Sequence, residues 1–330
     1  MHFHFARLLK SGCRFAGTVF IAWLLTSLNV CAQGYPNKPI RLIAPFPPGG
    51  ALDLIARGVA QKVGDATGQS VVVENKAGAA GAIGSEFVAR SAPDGYTLLL
   101  GATTTHGITP ALNPNLPYDA IKDFTPVSLV ALIPHMLVVN AAVPATTLAE
   151  FVQYAKTKPG IAYGSAGNGS PHHLGAALFA SLAGFQGTHV PYKGVGPSLV
   201  DLISGQVAFM SVESVGADPH IKSGKIRPLA VAASMRLPGS NVPTFAESGF
   251  RGFEVTAWYA VFGPANMPPE VLNKISSEVA KSVDAPDFRE RLKQLGATPI
   301  GSTSAVLGAH VKSEIERWTR AAKLANFKME

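Results

Sequence analysis

Residues 40–63 read IRLIAPFPPGGALDLIARGVAQKV, and the order of residue types along them decides the class of fold. Ile40–Ala44 is a short apolar run of strand length. PFPPGG then interrupts it, because proline removes backbone donors and paired glycines free the chain to turn. From Leu52 the apolar residues recur as Leu52, Ile55, Val59 and Val63, which is one stripe of a helix. A strand, a glycine turn and a helix make the opening of a βαβ unit, and the following residues complete it. Val71–Val73 reads as a second strand, and a second helix buries Ile83, Phe87 and Val88. The turn Ala92–Gly95 ends that helix, and Tyr96–Leu100 is a third strand. Near-continuous apolar runs bounded by turns suit strands covered on both faces of a parallel sheet.

The pattern returns at residues 161–182, IAYGSAGNGSPHHLGAALFASL, with Ile161–Tyr163 as the strand and a helix from about His172. Before it, Met136–Val139 reads as a strand and Thr147–Lys156 as a helix. After it come His189–Pro191, a helix near Pro197–Ser204, and strands at Val207–Val212 and Leu229–Ala232. Three helices close the chain: Pro269–Val283, Pro286–Leu295 and Ser304–Ala325. The expected class is therefore α/β. The 330 residues exceed one average domain, and no Pro/Gly/Ser linker separates two halves. Crossings between two units are expected within Leu129–His135 and Glu254–Phe262, which would place a ligand cleft between them.

Composition narrows the function classes. Hydrophobic residues at 47% and charged residues at 15% describe a globular chain and not a disordered one. Arg7, Lys10 and Arg14 lie in the first 32 residues with no acid among them. The remainder carries 25 basic against 21 acidic residues, without clusters, which argues against a nucleic-acid partner. Those three charges precede the apolar run Phe15–Leu28, and Val30 and Ala32 stand at −3 and −1 of a small-residue cleavage site. The three-part pattern is expected to be a cleaved secretory signal over residues 1–32; an uncleaved anchor, or a lipid on Cys31, is the alternative. Cys13 and Cys31 both fall inside that segment, so the mature chain is expected to have neither disulfide nor thiolate metal site.

Two loops, Pro45–Asp53 and Gly164–Ser170, each follow a strand and open a helix. The first N–H groups of a helix have no intrahelical acceptor and its dipole favours negative charge there, so both loops are candidates for binding a carboxylate. Spacing alone leaves open two ordinary tight turns capped by Asp53 or Ser170. No phosphate-loop or dinucleotide fingerprint is present. Thr103, Thr104, Thr105 and His106 follow the third strand at the same sheet end as the first glycine loop, either as cleft residues or as a hydroxyl-rich turn. His172 and His173 have no His-Glu-x-x-His motif and no cysteine beside them, so no metal site is expected. No Gly-x-Ser-x-Gly elbow surrounds Ser165, which lowers the expectation of a serine nucleophile.

YPNKPIRLIAPFPPGGALD, VVVENKAGAAGAIG, APDGYTLLLG, LPYDAIKDFTPVSLVA, YGSAGNGSPHHLG, VPYKGVGPSLVDLISGQV, PHIKSGKIRPLAVA, FGPANMPPEVLNKI and LGATPIGST occur in that order. The series resembles the tripartite tricarboxylate transporter solute-binding family, also called the Bug receptors, over essentially all of the mature chain. The resemblance implies a two-domain periplasmic-binding-protein fold of type II, the Venus flytrap. One domain would span 35–131 plus 255–330 and the other 132–254. It implies a periplasmic protein that captures a small carboxylate and hands it to a membrane permease; no catalysis, cofactor or metal is expected, and a monomer is the default. By position it places Phe46, Gly49 and Asp53 in one cleft loop and Thr103, Thr104 and His106 in a second. Ser165, Gly167 and Asn168 match the loop of the opposite domain, with Tyr192 nearby. Two positions depart from the family pattern: Leu52 stands where a small Thr is usual, and Ser211-Val212-Glu213 replaces a Phe-Asp-Asn-like run, which brings Val212 into the expected ligand site. A sensory protein with the same clamp is one alternative. A periplasmic hydrolase or lyase using Asp53 and His106 as acid and base is another.

Overall fold

The computed structural model describes residues 34–324, so the expected signal segment and both cysteines lie outside the described residues. The first unit forms as its sequence dictates. β1 (Ile40–Ala44), α1 (Ala51–Thr67), β2 (Val71–Asn75), α2 (Ala82–Ala89) and β3 (Thr97–Ala102) follow in order, and β1 lies parallel between β2 and β3. Ile40, Leu42, Ile43 and Ala44 are all buried, which is why the strand shows no polar alternation. A short α3 (Thr109–Leu112) continues a wide helical turn over Thr104–Ile108, so the hydroxyl-rich stretch after β3 is helical and not an open turn.

β4 (Phe124–Asn140) is one unbroken strand of 17 residues. The second unit then repeats the first. α4 (Leu148–Lys156) starts at a capping box of Thr147 and Glu150. β5 (Ile161–Ser165), α5 (Pro171–Ala183), β6 (Gly187–Pro191), α6 (Val195–Ser204) and β7 (Phe209–Glu213) follow. β5 lies parallel between β6 and β7. β7 begins and ends later than the expected Val207–Val212, which brings Glu213 into the strand. α7 (Ser214–Lys222), β8 (Ile226–Val231) and β9 (Thr256–Pro264) come next, then α8 (Pro269–Asp284), α9 (Pro286–Gln294), β10 (Thr298–Pro299) and α10 (Ser304–Leu324).

Pairing explains the length of β4. Phe124–Pro134 pairs antiparallel with β9, and His135–Asn140 pairs with β7 on one side and β8 on the other. The hydrogen-bonded orders are thus β2-β1-β3-β9-β4-β10 and β6-β5-β7-β4-β8, with the same arrangement of first three strands in each. Reversal of strand order around β1 and around β5 directs the loops after β1, β3, β5 and β7 to crevices at strand carboxyl ends. The chain from Lys38 onward packs as one unit.

Packing fixes these elements with little tolerance. A Cβ on Gly58 of α1 would lie 2.1 Å from the Phe288 ring of α9, so that helix contact requires glycine. Trp258 of β9 is 1% exposed, and its indole Nε1–H donates to Glu314 of α10 at 2.8 Å. The same carboxylate accepts from Trp318 and Arg317, so the buried acid is fully partnered. Around the second unit, Phe151, Phe179, Phe185, Phe209, Phe245 and Phe253 form an aromatic core. Among the described residues no helix is long and apolar enough to cross a membrane.

Candidate functional site

The loop after β1 is held open by its own polar groups. Gly49 has φ +90°, a conformation that side-chain-bearing residues rarely adopt, and a Cβ on Gly49 or Gly50 would meet nothing within 4 Å. Gly50 caps α1 without any side-chain hydrogen bond. The first N–H groups of this 17-residue helix therefore face an exposed glycine turn.

Asp53 does not cap that helix in the ordinary way. Its buried carboxylate accepts from Gly49 N–H at 3.1 Å, from Asn75 Nδ2 at 3.0 Å and from Arg57 Nε and Nη2 at 3.0 and 3.1 Å. Burial pushes the Asp53 carboxyl up, but the Arg57, Asn75 and Gly49 donors outweigh it and hold the group below its usual range. Asn75 also donates to the Phe46 carbonyl at 3.0 Å, so one amide ties both ends of the loop to β2. Half-buried Phe46 and Thr105 both approach Gly81 where a Cβ would stand, which joins this loop to the one after β3.

In that second loop most side chains look inward. The buried Thr103 hydroxyl accepts from Trp258 N–H at 2.7 Å. Thr105 Oγ1 accepts from Ala102 N–H at 3.0 Å and lies 2.9 Å from His106 Nδ1. His106 is wholly buried, stacked on Phe262 with centroids 4.0 Å apart and edge-on to Phe124. Burial pushes its imidazole down to about 3, so it is neutral. Thr103 and His106 support the turn from within, and Thr104 is the partly exposed member of the run. Asp53 and His106 are each committed to other partners, which removes the geometric basis for pairing them as acid and base.

The loop after β5 is braced by residues the sequence singled out together with His189 and Asp201, which it did not. Ser165 Oγ accepts from Gly167 N–H at 3.0 Å, lies 2.6 Å from His189 Nε2 and is 3.2 Å from the Gly167 carbonyl. His189 stacks on His173 with centroids 3.4 Å apart, and burial pushes the two imidazoles down to about 4 and about 3. Ser165 is fully buried, and its hydroxyl contacts brace the loop. Ser170 caps α5 by accepting from His173 N–H, and its hydroxyl donates to the Gly167 carbonyl at 2.7 Å. Tyr192 N–H donates to the Ser165 carbonyl, and Tyr192 O–H donates to Asp201 at 2.6 Å. Asn168 is exposed, and its amide makes no hydrogen bond among the described residues.

At the end of β7, Val212 points into an apolar core with Met136, Leu199 and Met210. The alternate side chains, Ser211 and Glu213, face the other way, towards His135 of β4 and His172 of α5. Burial pushes the His135 imidazole down, towards neutrality. Burial pushes the Glu213 carboxyl up, but the neighbouring His172 and His135 outweigh it and the acid stays ionised.

Comparison with known proteins agrees with this architecture. Residues 55–327 match the sequence profile described as tripartite tricarboxylate transporter family receptor. Protein BugT of Bordetella pertussis is 36% identical over 318 residues, covering 94% of this chain and 97% of BugT. Among solved structures, Rpa4515 of R. palustris with adipate superposes with a TM-score of 0.83 at 35% identity, covering 89% of this chain and 99% of that one. MatC from Rhodopseudomonas palustris, with bound malate, gives 0.79 at 36% identity, covering 87% and 99%. The fold is the α/β fold of periplasmic binding proteins.

Proposed function

Because the chain belongs to the tripartite tricarboxylate transporter receptor family, we propose that it is a periplasmic solute-binding receptor that captures a small carboxylate and delivers it to a membrane permease. The observation that carries this reading is the start of α1. A long helix presents uncapped N–H groups behind the open Gly49–Gly50 turn, and Asp53, the nearest acid, is already neutralised by Arg57. An anion at such a terminus gains roughly 0.3–1 kcal/mol from the dipole, and up to ~2 kcal/mol when partly buried. Charge-assisted hydrogen bonds from main-chain N–H groups add about 1.5–3 kcal/mol each. Adipate and malate are bound by relatives of the same fold, which supports a carboxylate as the class of ligand.

In this reading residues 35–131 and 255–330 form one lobe and 132–254 the other. The partner change of β4 between Pro134 and His135 is the crossing between them. Phe46, Gly49 and Thr104 meet the ligand from the first lobe, with Asp53, Thr103 and His106 behind them. Asn168 and the Gly167 turn meet it from the second lobe, held by Ser165 and Tyr192. Contacts from both lobes form only when the cleft closes, and this difference in affinity drives closure.

The test is thermal unfolding of the purified protein against mono- and dicarboxylates, with adipate and malate among them. An acid at 100 times its dissociation constant stabilises by about 2.7 kcal/mol. That acid should be recovered unchanged, and Asn168→Ala should weaken its binding about tenfold without lowering the unligated melting temperature. Turnover of the bound acid, or no stabilisation by any carboxylate, refutes the reading.

A further inference from the structure

His135, His172 and Glu213 converge from three separate elements, β4, the first turn of α5 and the end of β7. One ligand-type atom from each lies within 4.8 Å of the others. His172 Nε2 is 2.8 Å from Glu213 Oε2, and His135 Nε2 is 3.5 Å from Glu213 Oε1. All three side chains are buried, with His135 at 0% and Glu213 at 8% exposure. Among the described residues no lysine or arginine pairs with Glu213. We propose that these three residues bind a first-row divalent transition-metal ion of the Zn2+ type.

Two further observations point the same way. His135 Nδ1 lies 3.1 Å from Ser211 Oγ, the kind of second contact that orients a metal-binding imidazole. It turns Nε2 towards Glu213, yet that buried nitrogen has no hydrogen-bond partner. In the tautomer whose Nδ1–H donates to Ser211, Nε2 presents its lone pair to the carboxylate, and a cation between the two satisfies both. Two imidazoles and one carboxylate suit Zn2+, Co2+, Ni2+ or Cu2+, whereas Ca2+ and Mg2+ require oxygen-rich shells. Zn2+ with bonds of about 2.0–2.1 Å separates tetrahedral ligand atoms by roughly 3.3 Å. The 3.5 Å and 2.8 Å contacts reach different oxygens of Glu213, Oε1 and Oε2, so an ion held by one oxygen draws the three ligand atoms, now within 4.8 Å of one another, towards that spacing. The fourth position stays available to water. None of the three residues belongs to the glycine loops after β1 and β5.

The experiment uses protein purified without a histidine tag and stripped with chelator, then titrated with Zn2+ by calorimetry. One Zn2+ per chain is expected, together with a rise in melting temperature. Co2+ should give the intense visible absorption of a four-coordinate ion in the unmutated protein, a readout that depends on no variant. His172→Gln and Glu213→Gln should each weaken Zn2+ binding about 100-fold or more, and Ser211→Ala about tenfold through orientation alone. His220→Gln, on α7 away from the cluster, should leave it unchanged. Substoichiometric Zn2+, a pale six-coordinate Co2+ spectrum, full affinity in folded His172→Gln, or loss of binding in His220→Gln would each overturn the assignment.

Discussion

The Asp53 carboxylate is gripped by three residues, and removing its charge separates loop bracing from ligand contact. In Asp53→Asn the Arg57 pair is lost, along with part of the hold on Gly49. Because the Arg57 side chain is half exposed, screening reduces the cost of its loss, and the expected destabilisation is about 1–2 kcal/mol. A urea midpoint lowered by that amount, together with weaker carboxylate binding, is the predicted result. Unchanged stability would mean the brace is not what holds the turn. At this scale the sequence exposed only half of the site. Glycines and hydroxyls at strand ends mark the loops after β1 and β5, since few other residue types tolerate that backbone. Asn75 and His189 carry no local mark, because the partners that give them meaning, Asp53 and Ser165, lie 22 and 24 residues away, and Glu213 stood out only as a departure from the family pattern, its partner His172 being 41 residues away.

Elements meet with narrower tolerances than their periodicity reveals. The stripe Leu52, Ile55, Val59 and Val63 correctly orients α1, but nothing in it shows that Gly58 faces Phe288. A methyl group placed 2.1 Å from that ring must displace it, so Gly58→Ala should destabilise by about 1–3 kcal/mol despite the better helix propensity of alanine. Phe288→Leu in the same chain should recover part of the loss, and strictly additive effects in a double-mutant cycle would refute the contact. β4 was hidden for a related reason. Pro126 and Pro134 interrupt its apolar run, and proline inside a central strand normally argues against a strand. Here the register of β4 against β9 shifts next to Pro126, and Pro134 sits where β4 changes partners. The prolines mark irregularities of one long strand and not its ends.

Across the whole molecule, buried imidazoles make folding sensitive to mild acid. His106 and His173 are pushed down to about 3 and His189 to about 4, from an ordinary value of 6.5. The unfolded chain takes up these protons near pH 6.5, whereas the folded chain resists them until the lower values. The unfolded state therefore binds more protons across that window. Stability is complete above about pH 6.5 and falls progressively as pH drops towards 4 and then 3. Asp53, Glu74 and Glu247, whose carboxyls are held low by their partners, add a loss of the same sign at the acid end of the range. The histidine contribution can be isolated with His106→Phe, which keeps the stacking against Phe262 and removes one titrating group. Between pH 6 and pH 4.5 the free energy of unfolding should then vary less steeply, by about one proton, or ~1.4 kcal/mol per pH unit. Urea unfolding of both proteins at several pH values gives the two slopes directly. Equal slopes would show that His106 is protonated in the folded chain and that its aromatic shell is open to water.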